Sequence, residues 1–343
     1  MEILRWTGCQ RLAVINKQDD SVSGADWKSK LGSFFNLVRT FNAHKATYEE
    51  RLNILKSLLQ IDEGNSHKIQ STIDAIQSEW TGRQETAAEI ILEHMQTCLM
   101  HEESVSVSRR DCDNEVRKEK EIETLKHQYF KSITKMQLQC FEKLMKLYKH
   151  HHIESKEAES IFAEINLEAE ETWSKWGLSR NQLALAGGIT GVTAGGAIDI
   201  GTAGATHGLG ALFGGLLGAT TTYLKGGALP NFSISLEDMM SPGNNTHDNE
   251  QRKLKIESPD SENYPWILLD AILFQYHAML ERSHGRRDKQ TIKVAVPEDS
   301  YVRKMTSAQR NQLTKWFISC KKRKPDYSLE PKVLEVIEEA LQA

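Results

Sequence analysis

The spacing of apolar residues changes several times along the chain. Leu12-Ala-Val-Ile15 is a short apolar run that stops at Asn16-Lys-Gln-Asp19, which predicts a buried strand feeding a polar loop. Asp26 can cap a following helix whose apolar side holds Trp27, Leu31, Phe34 and Phe35. Leu37-Val-Arg-Thr-Phe41 predicts a second strand ending at Asn42-Ala-His44. From Thr47 the period becomes helical. Leu52, Leu55, Leu58 and Leu59 share a face before a break at Gly64-Asn65, and Ile69, Ile73, Ile76 and Trp80 open a helix that can run to about Met100. The charged stretch Ser104 to Lys120 reads as a loop or an exposed helix start. Ile122, Leu125, Phe130, Ile133, Met136, Phe141, Leu144 and Leu147 then mark one long amphipathic helix, resuming through Ile161, Ile165 and Leu167 up to Trp173. Glu237 to Asn263 is charged, contains Pro242-Gly-Asn-Asn245, and reads as a flexible linker. Trp266 to Leu280 is a strongly apolar helix, Thr291 to Val296 alternates like a strand or extended arm, and Gln309 to Cys320 and Pro331 to Leu341 predict two final helices.

The segment Leu183 to Leu224 follows a different rule. Its one formally charged residue is Asp199, and glycine recurs throughout. Each glycine inside a water-exposed helix costs about 0.8–1 kcal/mol relative to alanine, so such a segment needs either a bilayer or very close packing. Gly187, Gly191 and Gly195, then Gly210, Gly214 and Gly218, have the four-residue spacing that lets helices approach closely. Leu183 to Ile198 and Leu209 to Leu224 are 16 residues each, roughly 24 Å long and just short of the ~20 residues that usually span a bilayer. The pattern predicts a helical hairpin with Asp199 near its turn. Trp173, Trp176 and Tyr223 lie where anchors at a lipid–water interface are found, and Arg180 and Lys225 put both flanks on the cytoplasmic side. The alternative is a hairpin buried in a protein core.

Composition narrows the picture. A net charge of -4 gives no reason to expect a nucleic-acid partner. Cys9, Cys98, Cys112, Cys140 and Cys320 are widely spaced, which argues for a reducing compartment and against a zinc site or disulfide framework. No proline precedes Pro230, which permits long helices. The start, Met1-Glu-Ile-Leu-Arg-Trp6, lacks the basic stretch and apolar core of a secretory signal.

Asn-Lys-x-Asp after an apolar strand is the guanine-reading pattern of the GTPase superfamily. An aspartate carboxylate can accept hydrogen bonds from guanine N1–H and the 2-amino group together, the asparagine amide contacts N7, and the lysine stem lies along the base. Asn42-Ala-His44, after the next strand, stands at about the spacing of that superfamily's last motif, where an alanine N–H meets guanine O6. These residues, with Glu2-Ile-Leu-Arg5, the glycine-rich hairpin containing Ala197-Ile-Asp199, Tyr264-Pro-Trp-Ile-Leu-Leu-Asp270 and His284-Gly-Arg-Arg-Asp288, make the chain resemble bacterial Era-like GTPases that carry a C-terminal domain of unknown function 3482. The resemblance covers most of the chain. It implies that Asn16, Lys17, Asp19 and Ala43 touch guanine, and that an intact member uses GTP and Mg²⁺. This chain departs from the pattern, having no Gly-x4-Gly-Lys-Ser/Thr loop. Without that backbone cradle and its lysine, phosphate binding and hydrolysis have no physical basis. No catalytic residue, metal or cofactor is therefore expected here, and any guanine nucleotide binding should be weak. Met1 falls inside what would be the G domain, as in a fragment, a mis-started gene or a decayed domain.

Other clusters read blandly. His150-His-His152 point about 100° apart on a helix and do not converge on one ion, and His277 and His284 lack further ligands at metal spacing. Lys321-Lys-Arg-Lys324 reads as a solvated helix end, or as a contact for anionic lipid. Arg286, Arg287 and Lys289 read the same way.

The expected architecture is mainly α with long helices and a central hairpin: a partial GTPase-like α/β segment at 1–46, a helical bundle or stalk at 47–181, the hairpin at 182–229, a flexible linker at 230–263 and a helical region at 264–343. The expected function is a membrane-associating effector region of a GTPase-type switch, on the cytoplasmic side of the inner membrane or cytoplasmic with regulated membrane association. The partners expected are membrane lipid, and a second copy through the glycine-rich helices. The competing expectation is a helical interaction or scaffold protein with the hairpin buried internally or against a partner.

Overall fold

The computed structural model describes residues 10–16, 24–42, 47–149, 167–169, 172–173, 176–179, 182–183, 186, 231–238, 251–281 and 300–342. The glycine-rich segment 187–230 and residues 17–23, 43–46, 150–166, 239–250 and 282–299 lie outside them. The described residues are mainly α, with two small sheets. The chain divides into two units. Unit 1 comprises Met1–Thr86, Met145–His152 and Tyr276–Gln290, and unit 2 comprises Ala87–Leu144, Ile153–Gln275 and Thr291–Ala343.

Unit 1 begins with β1 (Leu12–Asn16), α1 (Gly24–Gly32) and β2 (Leu37–Phe41), where β1 and β2 pair in parallel from Leu12↔Leu37 to Asn16↔Phe41. The α/β segment expected at the N-terminus is thus present as one βαβ turn. Ala13 and Val38 are partners in register and both buried. Val14 pairs with Arg39, whose Nε donates to the buried Ser57 Oγ at 2.8 Å and ties β2 to α2 (Tyr48–Leu59). Helix α2 starts where Thr47 and Glu50 form a reciprocal capping box. Trp27 was expected on the apolar face of α1, but it is 58% exposed. Tyr48 stacks on Trp80 at 4.1 Å, Trp80 meets Tyr148 edge-on, and the Tyr148 and Tyr276 hydroxyls are 2.8 Å apart.

Helix α3 (Ser66–Leu99) confirms the long helix expected from Ile69 to about Met100. Its second half carries the apolar residues of unit 2: Ala87, Ala88, Ile91, Met95 and Cys98 are fully buried. The stretch expected as a loop or helix start instead opens with strand β3 (Glu103–Ser108), then a short helix α4 (Arg109–Asp113), and enters α5 (Glu115–Leu147). Likewise, the expected linker contains β4 (Phe232–Asp238) and β5 (Gln251–Pro259), which join β3 in a sheet of order β3-β5-β4. Every neighbouring pair is antiparallel. The charges hid a period of two: Leu254 and Ile256 are buried, while Lys255 on the opposite face bonds Glu102 at 2.8 Å and Glu257 at 3.1 Å. Three further helices follow as expected: α6 (Tyr264–Glu281), then after the short α7 (Tyr301–Lys304), α8 (Ser307–Lys321) and α9 (Glu330–Gln342).

Candidate functional site

Helix α6 is apolar on all sides, and residues 264–273 are buried without interruption, as expected of a core helix. Asp270 stands in the middle of it and is fully buried. A buried carboxylate is costly unless it is hydrogen-bonded, and here it is well supplied. It accepts from the Gly177 N–H at 3.2 Å and the Val302 N–H at 3.3 Å, and the Ser300 hydroxyl bonds it as well. Burial raises its pKa above the ordinary carboxylate value; the Ser300, Val302 and Gly177 contacts and the nearby Arg303 cation partly oppose that rise.

Just before α6, Asn263 grips the same segment from a second direction. Its Oδ1 accepts the Leu178 N–H at 2.9 Å and its Nδ2 donates to the Trp176 carbonyl at 3.2 Å. Arg303 Nε donates to the Gly177 carbonyl at 2.8 Å. Four consecutive backbone groups between Trp176 and Leu178 are therefore bound by three side chains. The residue between them has to be glycine for two reasons. Gly177 has φ +77°, the left-handed region, and a Cβ there would lie 2.5 Å from Asn263 Oδ1.

The flanking residues extend this clamp. The Trp176 indole meets Phe274 edge-on at 5.5 Å, and Trp173 stacks on Tyr264 at 5.9 Å while its Nε1 donates to the Leu167 carbonyl at 2.8 Å. The Tyr264 hydroxyl lies 3.2 Å from that of Tyr129. Downstream, Ser179 and Gln182 bond each other, the Leu183 N–H reaches the Ser179 carbonyl at 2.9 Å, and Gln182 Nε2 donates to the Arg303 carbonyl at 2.9 Å. This is a helical turn starting at the clamp. Leu183 and Ala186, the last described residues before the glycine-rich segment, are buried.

Trp173 and Trp176 were expected as interface anchors. At 6% and 2% exposed they are core residues of unit 2, and aromatic packing accounts for both. Tyr223, Gly187, Gly191, Gly195, Asp199, Gly210, Gly214 and Gly218 lie outside the described residues, as do Lys17, Asp19 and Ala43. Asn16 is described: it is exposed at the end of β1, in register with Phe41. His150–His152 and His284 lie outside, and no group of metal-binding residues forms among the described residues. No described helix is long and apolar enough to cross a membrane.

The basic run Lys321–Lys324 was expected to be solvated or to face lipid. Two of its members are committed to the fold. Lys321 Nζ donates to the Pro259 carbonyl at 2.8 Å, and burial lowers its pKa. Arg323, at φ +57°, pairs with Glu102 and donates to the Met100 carbonyl at 2.9 Å. Lys322 and Lys324 are exposed.

Asn263, Asp270, Gly177 and Arg303 were not among the expected site residues. The available signal was Asp270, the one charged residue between Tyr264 and Leu280 in a strongly apolar stretch, which a core tolerates only with dedicated donors. Asp270 and Asn263 are buried and Arg303 is half-buried, and all three hold the backbone, so the clamp's chemistry is mechanical: it fixes the direction and register of the chain ahead of the glycine-rich segment. The sequence matches no curated protein and no solved structure. It matches a family model described as a domain of unknown function (DUF3482) over residues 28–341, which takes in the clamp and all that lies between its parts, and the chain belongs to that family.

Proposed function

We propose that the chain is the membrane-associating effector region of a GTPase-type switch protein, in which the glycine-rich hairpin contacts lipid and unit 2 holds its root. The observation that carries this reading is the clamp at Trp176–Leu178. A segment with one charge and repeated glycine stripes suits close helix packing in lipid. Such a segment transmits force to a folded body only if its root is fixed, and three side chains fix it. The buried tryptophans belong to that root, which leaves lipid contact to the hairpin itself.

The switch part of the proposal rests on unit 1. Parallel pairing of β1 and β2 brings both C-terminal strand ends to one edge, with Asn16 beside Phe41 and Asn42-Ala-His44 directly after it. In open α/β sheets ligands bind at that edge. Lacking a phosphate loop, the chain alone is expected to bind guanine nucleotide weakly and to hydrolyse none. Tight binding in an equilibrium assay with labelled GDP would refute this.

The second reading is a helical scaffold whose hairpin packs against protein, which the core positions of Trp173 and Trp176 favour. Liposome flotation separates the two. The membrane reading predicts that the full chain floats and that a variant with 187–224 replaced by a short Gly/Ser linker stays at the bottom. Equal behaviour of the two leaves the scaffold reading standing.

A further inference from the structure

Strand β4 is an edge. In the order β3-β5-β4 it has one strand neighbour among the described residues, and residues 233–237 are all exposed. An edge of this kind is normally blunted by lysine, proline or strong twist. Phe232-Ser-Ile-Ser-Leu-Glu-Asp238 contains neither lysine nor proline, and its register shift lies at one end, between Phe232 and Ile234. Ile234 pairs with Ile256 and Leu236 with Leu254, so the two share the face of β5 residues that are buried; yet they are 42% and 38% exposed. The apolar face of the sheet therefore continues past β5 to β4, which is the last strand of the sheet among the described residues.

We infer that two copies of this chain pair antiparallel through β4, centred on Ser235, to form one continuous six-stranded sheet. The strand is self-complementary at that register. Ser235 meets Ser235, Ile234 of one copy meets Leu236 of the other on both sides of the two-fold axis, and Glu237 meets Ser233, so no acid opposes an acid. Sliding one strand by one residue in one direction sets Ile234 against Glu237, and sliding it the other way brings the register shift at Phe232 towards the centre. Isologous pairing closes the edge at a dimer, where an unpaired edge would invite open-ended growth.

Position-specific cross-linking of the full chain tests this, in a Cys9→Ser background. Under mild oxidation Ser235→Cys is expected to form a covalent dimer at least about tenfold more readily than Ser233→Cys alone, while Ser233→Cys mixed with Glu237→Cys cross-links as well as Ser235→Cys, because only those pairs lie within disulfide reach. Sedimentation should show the 38.9 kDa chain passing to twice that mass with concentration, and Ile234→Lys or Leu236→Lys, with unchanged circular dichroism, should weaken the dimer at least about tenfold. A chain that is monomeric throughout, a dimer indifferent to both lysines, or equal cross-linking at 233 and 235 would overturn the inference.

Discussion

Replacing Gly177 by alanine should be among the most damaging single-methyl additions the described residues allow. Two costs add. A non-glycine residue in the left-handed region costs about 1–2 kcal/mol. The new Cβ would then sit 2.5 Å from Asn263 Oδ1 and 3.0 Å from its Cγ, so Asn263 must withdraw and leave the Leu178 N–H and the Trp176 carbonyl buried without partners, at about 1–3 kcal/mol each. Partial relaxation brings the expected loss to about 4 kcal/mol. Urea unfolding followed by tryptophan fluorescence is the assay, because Trp173 and Trp176 report on the clamp itself. Gly82→Ala is the control. It lies inside α3 with nothing within 4 Å of its added Cβ, and should stabilise by about 0.8–1 kcal/mol. The cause is tested by the double variant: with Asn263→Ala already in place the clash is gone, so Gly177→Ala should cost only its backbone term, giving strong non-additivity. A Gly177→Ala protein within about 0.5 kcal/mol of the parent, or additive effects, would refute the reasoning.

Asp270→Asn should destabilise unit 2 by about 2 kcal/mol at neutral pH, because one amide oxygen cannot replace two carboxylate oxygens and the new NH₂ faces N–H donors; urea midpoints check it. Since burial raises the folded-state pKa of Asp270, the parent should gain stability relative to this variant as pH falls through that raised value towards 3.8. His94 is fully buried beside Cys98, and burial lowers its pKa to about 4. The unfolded chain then binds the proton first, so the parent should lose about 3 kcal/mol between pH 6.5 and 4, and His94→Gln should flatten that part of the profile. Trp176→Phe should lower stability yet leave flotation with liposomes unchanged, since the indole serves the core; loss of flotation without loss of stability would return Trp176 to the membrane interface.

Much of the helical framework was legible because long amphipathic periods need no tertiary information. Helices α3, α5, α6, α8 and α9 all lie where apolar spacing put them, and the βαβ turn followed from two short apolar runs around a helix, although that helix starts at Gly24, with the expected cap Asp26 inside it. The sheet of unit 2 was hidden. In β5 the residues alternating with Leu254 and Ile256 are Lys253, Lys255 and Glu257, and in β3 those alternating with Val105 and Val107 are serines, so high polarity masked the period of two. Trp27 and Trp176 show a second limit. Helical spacing placed Trp27 on an apolar helix face, and position just ahead of the glycine-rich segment placed Trp176 at a lipid surface, yet Trp27 is exposed and Trp176 is buried. The clamp was only half legible. Asp270 announced a buried acid, but its donors come from Gly177 and Val302, 93 and 32 residues away in sequence, and no local pattern records such pairing.

The central proposal is that the glycine-rich segment, rooted by the clamp, is what meets lipid. The most direct measurement is flotation of the full chain on liposomes beside the variant in which 187–224 is replaced by a short linker, with circular dichroism confirming that the rest of the fold is kept. Flotation of the full chain and its loss in the replaced variant is the predicted result. Two proteins that float alike, or a full chain that never floats, would contradict it.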